Sequence, residues 1–191
     1  MRLVGRHFEI YPRGLRSFDM PNLRQLEGVV SVEVLEAMVV ASEIFRSLGI
    51  LHALVGGLAV SAWSRPRWTK DVDFVVDHTA FDVTPSGIVS FKRGVPLQVR
   101  DVVVDPILPK EGEGHLFDAL RNPVVIDGIP VLPVEALVYM KLEAGRSRDI
   151  GDVVEILRSG ADRPSIVKYL EMHAPGLMKK FDRAAREAEA Q

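Results

Sequence analysis

The apolar positions change period several times along the chain, and each period predicts an element. From Ser31 they recur at helical spacing: Val34, Leu35, Met38, Val39, Ile44, Phe45 and Leu48 form one stripe. Ser31 suits the N-cap, Glu33 the first turn and Gly49 the C-terminal cap. ILHALV then reads as a short buried strand running into Gly56-Gly57, and LAVSAW as a short helix. A second strand is predicted from Thr69 or Lys70 through Val76. VPLQVRDVVVD, residues 95–105, reads as one long β-branched strand whose ladder Pro106 limits. GHLFDAL predicts a helix, and VVIDGIPVL a hairpin turning at Asp127-Gly128. From Pro133 four stretches read as helices: PVEALVYMKLEAG, RDIGDVVEILRSG, DRPSIVKYLEMH and PGLMKKFDRAAREAEAQ.

The remaining segments carry weaker patterns. RHFEIY reads as a short strand, residues 12–21 as a loop rich in Pro, Gly and Arg, and TPSGIVSFKRG as a turn or hairpin. Strands with interleaved helices followed by helices predict an α+β fold: a mixed β-sheet flanked by helices, with a C-terminal helical region. The expected organisation is an α/β core over residues 1–132, of which 1–30 are an N-terminal extension, and a helical region over 133–191 packed on that core.

Composition narrows the function. At 191 residues and 47% apolar content the chain suits one domain with a sizeable core. Its net charge of −2 supplies no bulk attraction to nucleic acid, so such binding would need a local rim. Arg65, Arg67, Lys70, Lys92, Arg93 and Arg146 could assemble one. Cysteine is absent, which excludes disulfides, thiolate metal sites and a cysteine nucleophile and suits a reducing cytoplasm. No apolar run approaches the roughly 18 residues of a membrane span. MRLVGRHFEIYPRG lacks an uninterrupted apolar core and does not read as a signal peptide. No P-loop, dinucleotide fingerprint, nucleophile elbow or zincin motif is present. The histidines at 7, 52, 78, 115 and 173 lack ligand spacing and read as ordinary solvated or hydrogen-bonded side chains.

The chemistry concentrates in Lys70-Asp71-Val72-Asp73-Phe74. On a strand, residues i and i+2 share a face, roughly 6.5–7 Å apart. Asp71 and Asp73 therefore project together, while Val72 and Phe74 turn to the core. Two carboxylates without His or Cys suit Mg²⁺ or Mn²⁺. Taken alone, such a pair is more often the solvent face of a half-buried sheet. Gly56-Gly57, between a strand and a helix, allow backbone N–H groups to approach phosphate oxygens. Asp101 and Asp105 share parity on the long strand, so either could face the pair as a third acid.

The glycine pair, Arg67-x-Thr69-x-Asp71-Val72-Asp73 and a later strand aspartate together resemble the nucleotidyltransferase (polymerase β-like) superfamily. The nearest likeness is its minimal bacterial branch, which includes AbiEii-type toxin-like proteins. VLPVEALVYMKLEAGRSRDIGDVVEIL is similar to the segment where that branch carries a Lys, a short basic stretch and an Asp. Here those residues are Lys141, Arg146, Arg148 and Asp149, with Asp152 one turn on. The resemblance spans about residues 50–158.

It implies transfer of a nucleoside monophosphate from an NTP to a hydroxyl of RNA, protein or a small molecule. Asp71, Asp73 and Asp105 would bind Mg²⁺ or Mn²⁺, with Asp101 as the alternative third acid. Gly56, Gly57, Arg67, Thr69, Lys141 and Asp149 would hold the nucleotide. The implied partners are a tRNA or other RNA acceptor and an antitoxin protein. The family's Gly-Ser variant brings a hydroxyl to the phosphates, which Gly57-Leu58 lacks. That gap leaves two other readings open: a nucleotide-binding module without turnover, and a sheet whose aspartates bind nothing. Unassisted by the resemblance, Lys141 reads as a snorkelling lysine, Arg146 and Arg148 as a helix-end cluster, and Asp149 as an N-cap.

Overall fold

The computed structural model describes residues 22–81 and 96–190. The strand expected at RHFEIY, the loop at 12–21, the turn at TPSGIVSFKRG and the rim residues Lys92 and Arg93 lie outside them. Among the described residues no helix is long and apolar enough to cross a membrane.

The chain opens with a 3-10 turn, Arg24–Leu26, and helix α1, Val32–Ser47. Val34, Met38, Ala41 and Phe45, spaced by four, three and four, are buried along its inner line. Val39 falls about 140° off Val34 on the helical wheel and is exposed, contrary to the stripe expected for it. Gly49, at φ 70°, terminates the helix, with Ile50 N–H donating to Phe45 O at 2.9 Å.

Strand β1, His52–Leu54, leads into helix α2, Gly56–Trp63, whose first turn is the glycine pair itself. Strand β2, Val72–Val76, starts later than expected, at the second residue of the aspartate motif. The predicted single strand over 95–105 is two: β3, Leu97–Val99, and β4, Val102–Ile107, paired antiparallel. The chain reverses at Arg100, which adopts φ 54°, and Asp101. A left-handed φ at a turn favours Gly or Asn, so Val-Arg-Asp-Val gives no residue signal for it. Helix α3, Gly114–Arg121, and the hairpin of β5, Val124–Ile126, with β6, Ile129–Val131, follow as predicted. Asp127 and Gly128 turn that hairpin at φ 48° and 83°. Helices α4, Val134–Ala144, α5, Ser147–Arg158, α6, Arg163–His173, and α7, Met178–Glu189, complete the chain.

The six strands form one mixed sheet in the order β3-β4-β2-β1-β6-β5. β2 is antiparallel to β1 and parallel to β4; β1 is parallel to β6. The fold is α+β, as expected.

Alternation along β2 assigns its two faces. Phe74 meets Phe45 of α1 edge-on, with ring centroids 5.5 Å apart. On the opposite face Asp73 meets Gly56 at the start of α2. His52 completes the ring cluster beside Phe45 and Phe74. Its Nδ1 lies 2.9 Å from Ile50 O and its Nε2 2.9 Å from Ser42 Oγ. Both ring nitrogens are satisfied by a neutral imidazole, and burial lowers its pKa. α4 packs against α2, α5 and α6, and α5 against α2 and α7. This places α4 and α5 beside the carboxylate-bearing end of the sheet.

Candidate functional site

A cleft of about 250 Å³ opens where α2, the approach to β2, α4 and α5 meet. Gly56, Gly57, Arg67, Thr69, Asp71, Asp73, Lys141, Arg146, Arg148 and Asp149 all line it. Residues 67, 69, 71 and 73 present alternate side chains to it, so the period of two extends upstream of the strand.

Asp71 is held by its neighbour: Thr69 Oγ1 donates to Asp71 Oδ1 at 2.8 Å, and Thr69 is buried. Asp73 is held by the backbone it touches. A Cβ on Gly56 would lie 1.8 Å from Asp73 Oδ2, so only glycine leaves room for that carboxylate. Gly56 also adopts φ 63°, a conformation most other residues resist. A Cβ on Gly57 would come within 3.1 Å of Thr69 Oγ1 and 3.3 Å of Arg67 Nη1, a tight but less severe approach.

Asp105 joins the pair through strand register. It is the cross-strand partner of Asp73 in the parallel β2–β4 ladder, so the two side chains leave the same face of adjacent strands. Asp101, the alternative third acid, does not join them. It sits at the β3–β4 turn, outside β2's ladder, and its parity with Asp105 is lost when the chain reverses.

The carboxylates raise one another's energy. The Asp73 carboxyl is pushed up to about 6, first by burial and then by the charges of Asp71 and Asp105. Lys141 and Arg146 offset this only in part. The group thus has hard oxygen donors and uncompensated negative charge, the conditions that favour a divalent cation. Among the described residues no three His, Asp or Glu side chains converge closely enough to hold one ion by themselves. A cation here would be shared with water and ligand oxygens, which is how Mg²⁺ is commonly bound.

The facing wall is cationic. Lys141 is largely buried, not snorkelling: its Nζ lies 3.1 Å from Asp149 Oδ1 and 2.8 Å from Asp152 Oδ2. Arg67 Nη2 donates to the same Asp152 oxygen at 3.0 Å. Arg67 Nε and Nη1 are buried with no hydrogen-bond partner among the described residues. Asp149 is not an N-cap: it lies in the first turn of α5, whose N-cap is Arg146. Arg146 Nε lies 3.0 Å from Asp149 Oδ2, but off the line a hydrogen bond needs. Arg148 also lines the cleft, so four cations on this wall meet two carboxylates. The surplus is positive, in the cleft that Asp71 and Asp73 also line; Asp105, beside Asp73 on β4, is not among the lining residues. Such a cleft can neutralise a metal–polyphosphate from both sides: a cation on the aspartates, anionic oxygens toward Arg67 and Lys141.

Asp152 is the residue whose importance the sequence did not announce. It is 5% exposed and accepts from cations on two different elements. Its only signal was the i, i+3 spacing from Asp149, which puts both on one face of α5.

No protein-family model matches the chain, and no curated protein matches it. Among solved structures, it is similar to an antigenic nucleotidyltransferase-like protein from Paracoccidioides brasiliensis. The two are 18% identical, with a TM-score of 0.44, and the likeness covers 81% of this chain and 94% of that one.

Proposed function

We propose that the protein is a metal-dependent nucleotidyltransferase that moves a nucleoside monophosphate from an NTP to a hydroxyl acceptor. One observation carries the reading: Asp73 and Asp105 are partners on one sheet face, Asp71 lines the same cleft two residues upstream of Asp73, and Asp73 is seated on Gly56 in a cleft that Lys141 and Arg67 also line. The sequence resemblance to the polymerase β-like superfamily supports it independently.

Asp71 and Asp73, with Asp105 alongside, would hold Mg²⁺ or Mn²⁺. Once bound, the metal would supply charge neutralisation on the phosphates and would lower the pKa of the attacking hydroxyl. Gly56 and Gly57 leave space for the triphosphate at the start of α2. Arg67, through its unpaired Nε and Nη1, and Lys141 offer donors to phosphate oxygens. The acceptor oxygen bonds to the α-phosphorus while the bond to the α–β bridging oxygen breaks. Pyrophosphate leaves, and the hydroxyl proton passes to Asp105. The proposal includes the AbiEii-like branch: an RNA acceptor, tRNA among the candidates, in the cytoplasm, and an antitoxin partner.

The test is transfer from each α-labelled NTP to total RNA with Mg²⁺. Asp71→Asn and Asp73→Asn should abolish it; unchanged transfer in both variants would overturn the mechanism. A second reading, nucleotide binding without turnover, is favoured by the absence of three converging acids among the described residues. Calorimetric binding of NTP with Mg²⁺ but no pyrophosphate release would select it.

A further inference from the structure

Away from the cleft, four aromatic rings from three helices meet. His115 of α3 stacks on His173, the last residue of α6, with ring centroids 4.7 Å apart and planes 11° from parallel. Tyr139 of α4 meets His115 edge-on at 4.5 Å, and Tyr169 of α6 meets both histidines. His115 is half-buried and His173 exposed. His115 Nε2 and Tyr169 Oη are buried without hydrogen-bond partners among the described residues.

We propose that the His115–His173 stack is an acid-sensitive latch that holds the C-terminal end of α6 on α3 and α4. Face-to-face imidazoles attract when both are neutral or when one is charged, because a cation over a ring is favourable. Two charged rings at this separation repel. The second proton therefore opposes the stack. A charged His115 also carries an N–H at Nε2, for which no acceptor is present among the described residues.

The surrounding charges do not cancel this. Glu113 and Asp118 favour a charged His115, but burial and His173 weigh more against it. Glu113 accepts from Tyr139 Oη–H at 2.8 Å and from Lys110 N–H at 2.6 Å, and Asp118 accepts from Arg121 at 2.9 Å. Glu143 of α4 lies near Tyr139, while Glu135 of α4 and Lys168 of α6, opposite in charge, line one surface groove with His173. The 3-10 turn Pro175–Leu177 brings no titratable side chain. The ion pair between α7 and α6, Arg163–Glu189, lies at the far end of α6. Burial first, and His173 second, depress the His115 pKa.

The test compares the full-length wild type with His173→Phe, which keeps a ring in the stack but cannot take the second charge. His115 should titrate below 6.5 in the wild type and move upward in the variant, read by NMR of its imidazole C–H. The wild type should lose more of its urea midpoint between pH 7.5 and 5.5 than the variant does. An unchanged His115 titration, or equal losses of midpoint, would overturn the latch. His173 is exposed, so the variant is expected to keep the fold, which its urea transition at pH 7.5 checks.

Discussion

Gly56 and Asp73 show how one atom decides a site. Both the positive φ and the 1.8 Å approach exclude a β-carbon at Gly56. Gly56→Ala should destabilise the protein by about 1–3 kcal/mol and weaken Mn²⁺ binding, because Asp73 must move. Gly57→Ala meets contacts of 3.1 Å or more and has no positive φ, so its cost in a urea titration should be smaller. Asp73 makes a pH prediction. Its carboxyl titrates at about 6 when folded, against an ordinary 3.8. Between these values the folded chain holds a proton that the unfolded chain has lost. Stability from this group is therefore fully present below 3.8 and is lost as pH rises to about 6. Asp73→Asn should be more stable than the wild type at pH 7.5, by up to about 2 kcal/mol, and equal to it near pH 3.8. Equal urea midpoints at both pH values would contradict the charge repulsion. The aspartate motif was legible because alternation on a strand needs no tertiary information. The close fit of Asp73 on Gly56 was not, since a glycine pair alone reads equally well as a plain turn.

The β3–β4 hairpin decides which acid joins the pair. A long β-branched stretch predicted one strand and left Asp101 as an alternative to Asp105. The reversal at Arg100 carries Asp101 to the turn, and the parallel pairing of β4 with β2 brings Asp105 beside Asp73. Asp105→Asn should lower the Asp73 pKa, since it removes one repelling charge, and should reduce nucleotidyl transfer on the order of 10²-fold or more. Asp101→Asn should change neither. NMR titration of the Asp73 carboxyl and the labelled-NTP assay read the two effects separately. The neighbouring hairpin shows the opposite case. Asp127-Gly128 was read correctly because Asp and Gly tolerate the left-handed conformations that a two-residue turn requires. Arg100 adopts a similar φ without belonging to that residue class, so its turn had no local signature.

Across the whole molecule, Asp152 joins the segment before β2 to α4 and α5 by accepting from both Arg67 and Lys141. Removing one partner of a buried ion pair strands the others without compensation. Asp152→Ala should cost about 3–5 kcal/mol in chemical denaturation, and adding Lys141→Met should recover part of that loss. A near-neutral single variant would show that the cations rearrange freely and that the wall is not preorganised. The sequence by itself determined the element types, the shared face of Asp71 and Asp73, and the helix-face pairing of Asp149 with Asp152. These depend on periods of two and 3.6, which operate within a segment. Only the tertiary structure decided that Asp105 lies beside Asp73, that Lys141 is buried against two carboxylates, and that cations and aspartates line one cleft. Those facts depend on strand order and on helices packing across large separations in sequence, where no local period reaches.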